Sequence, residues 1–174
     1  MRIVLSGVET NNKGAELMLY AILQEIERKF PQAEVFIKEN AIHQGRNYID
    51  TPLRLNLMPL SFFKRCCIKF KLRGILWRLY LPIHMFWDYP KVSSVDYLID
   101  GSGFAFSDQW KPNRNVLSYW YHFFKYYHDQ KTKIIFLPQA FGPVEMNSTK
   151  KLISYLNEFA DLIMPREKVS MKYL

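Results

Sequence analysis

Short apolar runs, each ended by Gly or Pro or by a polar loop and separated by helix-period stretches, constrain this chain more than any other feature. They are Arg2–Ser6 (RIVLS), Glu34–Lys38 (EVFIK), Val95–Asp100 (VDYLID), Lys133–Leu137 (KIIFL) and Ala160–Met164 (ADLIM). Runs of this length that are nearly all apolar read as strands buried on both faces. Between them lie helical patterns. Gly14–Phe30 carries Leu17, Leu19, Tyr20, Ala21, Leu23 and Ile26 and is stopped by Pro31. Asn115–Gln130 is aromatic along its length, and Asn147–Phe159 has Asn147 or Ser148 as its cap. Pro138 and Pro165 close the fourth and fifth strands, and Val169–Leu174 opens a further helix. This alternation predicts an α/β fold, a Rossmann-like doubly wound and mostly parallel sheet. The length of 174 residues suits one such domain, so residues 1–174 read as a single unit.

Composition enters as a set of exclusions. A hydrophobic content of 49% is too high for a disordered chain, and 7 Gly with 9 Pro fit neither collagen nor a linker. No apolar run reaches the roughly 18 residues of a membrane span. The longest candidate, Ile75 to Trp87, is cut by Arg78, Pro82 and His84. The N-terminal apolar run is too short for a signal peptide. The two cysteines, Cys66 and Cys67, are adjacent and give neither a disulfide framework nor metal-ligand spacing. A cytoplasmic protein is the expectation.

The net charge of +8 is concentrated. No acidic residue occurs between Asp50 and Asp88, an interval holding Arg54, Lys64, Arg65, Lys69, Lys71, Arg73 and Arg78. Read as a helix, residues 61–80 place Phe63, Cys66, Cys67, Phe70 and Trp77 on one charge-free arc flanked by basic residues. Two readings stand side by side. One is a helix packed on the core with solvated Lys and Arg at its rim; the other is attachment to an anionic membrane surface. Nucleic acid is not expected as a partner, because no nucleic-acid-binding motif accompanies the basic segment.

In doubly wound sheets, ligands bind outside the carboxyl ends of the strands, so the residues after each strand matter most. After the first strand, Asn11-Asn12-Lys13-Gly14-Ala15-Glu16 leads into a helix N-terminus, where backbone N–H groups favour an anion or a sugar hydroxyl. Glu16 there serves either the helix dipole or a ligand. The spacing matches neither a dinucleotide fingerprint nor a P-loop. After the third strand come Gly101, Ser102 and Gly103, a turn that permits close approach of a backbone or a ligand. Asp108, Gln109 and Trp110 follow, offering a carboxylate, an amide and an aromatic surface suited to a sugar. After the fourth strand, Gln139 sits in a stiff Pro138-to-Pro143 element; after the fifth, Arg166 places a guanidinium suited to a phosphate or carboxylate, or to pairing with Glu167.

In order, these segments resemble the polysaccharide pyruvyl transferases. The matching motifs are Asn12-Lys13-Gly14 with Glu16, Asp96 through Phe104 with Asp108, the Pro-Gln-x-x-Gly-Pro element Pro138–Pro143, and Ala160-Asp161 leading to Arg166-Glu167, Ser170 and Leu174. The resemblance spans essentially the whole chain. It departs from the family pattern in having Gly14-Ala15-Glu16 for Gly-Asp, Gly-Ser-Gly for Gly-Gly-Gly, and Arg-Glu for Arg-Asp. It implies the N-terminal domain of a B-type glycosyltransferase fold, this chain being the N-terminal half, with a C-terminal half that completes the site, or a homo-oligomer, as its expected partner.

The implied activity transfers the enolpyruvyl group of phosphoenolpyruvate to two hydroxyls of a polysaccharide sugar, leaving a cyclic ketal. Phosphoenolpyruvate is then the donor substrate, with no cofactor, and the acceptor is a glycan, lipid-linked glycans at the inner membrane face included. Such chemistry needs a general acid near the methylene carbon and cations on phosphate and carboxylate, and by this logic no metal. Arg166 matches the family arginine that holds the donor. Asn12, Glu16, Asp108 and Gln139 are candidates for acceptor hydroxyls, Gly101, Ser102 and Gly103 are further substrate-binding candidates, and no catalytic residue is assigned. The four histidines, His43, His84, His122 and His128, match no motif. The alternative is a non-catalytic glycan- or anion-binding module on the same scaffold.

Overall fold

The computed structural model describes residues 1–38, 49, 51–58, 92 and 94–174. The elements are β1 (Arg2–Ser6), α1 (Lys13–Lys29), β2 (Glu34–Lys38), β3 (Arg54–Met58), β4 (Tyr97–Asp100), α2 (Arg114–Asp129), β5 (Lys133–Gln139), α3 (Asn147–Phe159) and β6 (Leu162–Pro165). Short 3-10 turns occupy Asp108–Trp110 and Ser170–Tyr173. The sheet has six strands in the order β3-β2-β1-β4-β5-β6, and every pairing is parallel. This is the doubly wound Rossmann-like order, in which the winding direction reverses between β1 and β4. The expected α/β fold is therefore found.

Strand alternation divides the core into two layers. Ile3, Leu5, Val35 and Ile37 face the helix that carries Leu19, Leu23 and Ile26. Val4, Leu98, Ile134 and Phe136 face the other way, against Phe123, Phe124 and Tyr127 of α2 and Leu152, Ile153 and Leu156 of α3. The second layer is largely aromatic. Phe106 sits at its centre, with ring centroids 5.6 Å from Phe136, 5.7 Å from Trp120 and 6.0 Å from Phe141.

Several sequence expectations need correction. Arg54–Met58 is a sixth strand that the sequence reading passes over as a punctuated connection. Its residues RLNLM carry no strong β preference, and pairing along β2 makes the strand. Pro138 does not close its strand: β5 continues to Gln139, across a register shift relative to β6 between Phe136 and Gln139. Such an irregularity accommodates a residue without an N–H. Pro165 is the last residue of β6, which starts at Leu162 and not at Ala160. The cap of α3 is Met146, without a side-chain bond, and neither Asn147 nor Ser148. Val169–Leu174 forms only the 3-10 turn at Ser170–Tyr173. The basic aromatic segment 61–80, with Cys66 and Cys67, lies outside the described residues, as do His43 and His84. No helix among the described residues is long and apolar enough to cross a membrane.

Candidate functional site

Asn12 caps α1: its Oδ1 accepts from the Gly14 N–H at 2.8 Å. Glu16 lies in the first helical turn, where the dipole favours a carboxylate, and it is buried. From this end α1 runs against the Gly101–Gly103 turn. A Cβ at Gly101 would stand 2.8 Å from Ile22 Cδ1, and one at Gly103 would stand 3.4 Å from Met18. Gly7, at the end of β1, has φ +68°, and its Cβ would fall 2.5 Å from Ser102 Cβ. The β1 and β4 ends thus approach so closely that a side chain has no room between them.

At the next strand end, Ala140 N–H donates to the Gly103 carbonyl (2.8 Å), and Arg166 N–H donates to the Gln139 carbonyl (2.8 Å). The glycine turn, Gln139 and Arg166 are therefore tied in sequence across β4, β5 and β6. Asp108 joins from the loop beyond: its N–H donates to the Pro143 carbonyl at 2.9 Å. The candidate residues share the carboxyl edge of the sheet.

Their side chains differ in what they do. Gln139 is completely buried, and its Nε2 donates to Asp100 Oδ1 at 3.1 Å. The Ser102 N–H (3.0 Å) and hydroxyl (2.5 Å) donate to the same oxygen, and the hydroxyl also lies 3.2 Å from Gln139 Oε1. The amide expected at the surface is turned inward to hold an acid. Asp108 accepts from Glu145 N–H at 2.7 Å and Met146 N–H at 3.3 Å, so it holds the two residues that lead into α3 from a distant position in the chain. Desolvation works against its charged form, but these two N–H groups and Lys150 outweigh it and hold the carboxyl below its ordinary range.

Arg166 is exposed (58%), and its Nε is 3.0 Å from Glu167 Oε2. Glu167 is itself held by the Ser170 hydroxyl, and bonding to Ser170 and Arg166 keeps it below the usual carboxylate range. The guanidinium is thus braced from one side and open to solvent. Trp110 is also exposed (57%), with Nε1 fixed on the Phe104 carbonyl at 3.0 Å, so its ring forms a surface beside the glycine turn.

Three further groups at this edge were missed: Asp100, Lys38 and Tyr119. Asp100 pairs in register with Ser6, and Lys38 follows Ile37, the register partner of Leu5. Lys38, Ser6 and Asp100 therefore form one polar rung across β2, β1 and β4 on the α2 side of the sheet. Lys38 Nζ donates to the Tyr119 hydroxyl at 2.7 Å and lies 5.3 Å and 5.6 Å from the Tyr119 and Phe123 ring centroids. Desolvation lowers the Lys38 pKa, and the Asp100 charge opposes that shift. Burial, reinforced by Asp100, raises that of Tyr119. The available signal was a polar residue ending each apolar run, Lys38 in EVFIK and Asp100 in VDYLID.

The acids at the strand starts have a different task. Asp96 accepts from the Arg2 N–H at 2.7 Å. Asp161 accepts from the Ile134 N–H (2.9 Å) and from Lys133 Nζ (2.6 Å). Both fasten neighbouring strand starts, at the edge opposite the candidate site. Among the described residues, no group of three or more His, Cys, Asp or Glu could hold a metal ion.

The family model for polysaccharide pyruvyl transferase matches residues 12–174. The chain belongs to the polysaccharide pyruvyl transferase family. The match takes in every strand-end segment that forms the rim, from the Asn12 cap to the Arg166–Ser170 bracket. Neither the search of curated proteins nor that of solved structures found a match.

Proposed function

We propose that this pyruvyl transferase family chain takes phosphoenolpyruvate as donor and forms a cyclic pyruvate ketal on a sugar of a cell-surface or exported polysaccharide. In this reading it supplies the N-terminal half of a two-domain enzyme. The observation that carries the proposal is the continuous rim of family-motif segments along the carboxyl edge, with one solvent-facing guanidinium, Arg166, at its end. Phosphate and carboxylate each present a pair of oxygens that a guanidinium grips in a fork. Glu167 and Ser170 brace that side chain without enclosing it.

The acceptor side lies at the other end of the rim. Trp110 offers a ring face to a sugar, and the α1 N-terminus offers N–H groups to hydroxyls. In the reaction, protonation of the donor methylene carbon generates an oxocarbenium-like centre; one sugar hydroxyl attacks, phosphate leaves, and a second hydroxyl closes the ring. The general acid for this step is assigned to the partner half, because His122 and His128 lie on α2 and belong to none of the rim segments.

The test combines purified protein, with and without a C-terminal half, with phosphoenolpyruvate and glycan acceptors, and follows phosphate release. Release that depends on acceptor and on both halves is expected. No release from any combination sinks the transferase reading, and glycan or phosphoenolpyruvate binding without turnover would establish the binding-module alternative. Arg166→Ala should weaken phosphoenolpyruvate binding at least about tenfold, the loss expected of a charge-assisted pair, while changing folding stability by no more than about 0.5 kcal/mol. Unchanged affinity removes Arg166 from the donor site.

A further inference from the structure

The last rung of the sheet holds a carboxylate that is better enclosed than it is bonded. Asp100 is 1% exposed, and its Oδ1 receives the Ser102 N–H, the Ser102 hydroxyl and the Gln139 amide. Its Oδ2 is buried and accepts no hydrogen bond among the described residues. A buried carboxylate in that condition needs a compensating positive charge, since hydrogen bonds to one oxygen leave the rest of its desolvation cost uncovered. Among the described residues, Lys38 is a cation on the same rung that the Asp100 charge acts on. Lys38 stands two strands away on the same rung, and its direction is fixed by Tyr119 and by the Tyr119 and Phe123 ring faces.

We infer that Lys38 and Asp100 are positioning residues, a charge pair within the sheet edge that fixes the Gly101–Gly103 turn and the Gln139 strand end on which the acceptor side of the rim is built. The load passes through identified bonds. The Lys38 ammonium shares the rung with the Asp100 carboxylate, and that carboxylate orders Ser102 and the Gln139 amide. That amide joins the end of β5 to the turn after β4. Tyr119 holds the ammonium in place from α2. Loss of the charge at Lys38 therefore changes the turn without touching it.

The functional part of this inference rests on the proposed transferase reading; the structural part does not. The experiment is a double-mutant cycle of Lys38→Gln, Asp100→Asn and the combined variant. Glutamine keeps a donor for Tyr119 and removes the charge, and asparagine keeps the Oδ1 acceptor. Thermal midpoints and the side-chain amide signal of Gln139, with the backbone amide signals of Gly101 and Gly103, are read on the unliganded chain. Each single substitution should shift the three amide signals, and the combined variant should be more stable than the sum of the singles by at least about 2–4 °C, the size of a pairwise coupling in a chain of this length.

Additive midpoints, or a Lys38→Gln chain whose Gln139 and glycine signals match the unsubstituted protein, would overturn the pair; Lys38 would then be an amine packed on aromatic rings and nothing more. If Asp100→Asn alone fails to fold, Lys38→Gln and the combined variant still decide the matter. In turnover with the C-terminal half, Lys38→Gln should raise the acceptor KM severalfold and leave the phosphoenolpyruvate KM unchanged; equal changes in both would also overturn the assignment. Absence of turnover in the unsubstituted protein condemns the transferase reading alone, because the cycle and the amide signals are measured without it.

Discussion

At Gly7 two constraints coincide, and each excludes a side chain. The backbone is left-handed at φ +68°, and an added Cβ would lie 2.5–2.8 Å from Ser102 Cβ, N and Cα. Gly14 carries neither constraint: it is helical, and its Cβ would meet only Asn12 Oδ1 at 3.4 Å. Gly7→Ala should therefore cost at least about 2 kcal/mol, combining left-handed strain with displacement of the β4 turn. Gly14→Ala should stabilise α1 by up to about 1 kcal/mol through helix propensity. Urea unfolding of the two variants checks the contrast; a Gly7→Ala protein as stable as the parent would show that the two strand ends are not in contact. Both glycines stand out in the sequence, yet only the approach of β4 to β1 separates them.

Among the elements, α2 is the one whose sequence says least about its role. Its aromatic residues read simply as a helix, but the structure makes them one wall of a ring cluster with Phe106 at the centre. Phe106 lies in the loop after the glycine turn and forms a parallel bridge with Phe141 from the loop after β5. It thus anchors two rim segments to the core at once. Phe106→Ala should cost about 3–5 kcal/mol, as expected for a fully buried aromatic, and should disturb the rim as well. Chemical denaturation measures the first effect, and protease sensitivity of residues 101–113 against the rest of the chain measures the second. Helix α3 shows the same dependence on distant partners. Its own first residues offer Asn147 and Ser148 as caps, but neither caps it, and Asp108 in the turn before α2 accepts from the Glu145 and Met146 N–H groups that lead into it.

For the whole molecule, carboxylates act as fasteners at both edges of the sheet. Asp108 and Glu167 do so at the carboxyl edge and Asp161 at the amino edge, and all three are held below their ordinary pKa range. At Asp161 desolvation pulls the other way, and Lys133 and the Ile134 N–H overcome it. A carboxyl depressed in the folded state adds stability above its unfolded pKa and loses that contribution as pH falls through the folded value. The melting midpoint should be level near neutrality and decline below about pH 4, where unfolded Asp and Glu take up protons. Asp108→Asn with Asp161→Asn should flatten that decline, because neither site then binds an extra proton on unfolding. Thermal melts between about pH 2 and pH 7 test this; an unaltered slope in the double variant would mean that other groups control acid unfolding.

The sequence alone determined what local periodicity can encode: buried strands alternating with helices, hence a parallel doubly wound sheet, with Gly, Gln and Arg segments assigned to the carboxyl ends of its strands. Those features depend on residue spacing within one element and on the parallel rule that sends every strand end to the same edge. Only the tertiary structure decided the rest. It made a strand of Arg54–Met58, turned Gln139 inward onto Asp100, gave Asp108 to a helix far along the chain, and set Lys38 on the same rung as Asp100. The reason is physical. A polar side chain takes the partner that strand order and register bring to it, and that partner lies tens of residues away, where no local pattern reaches.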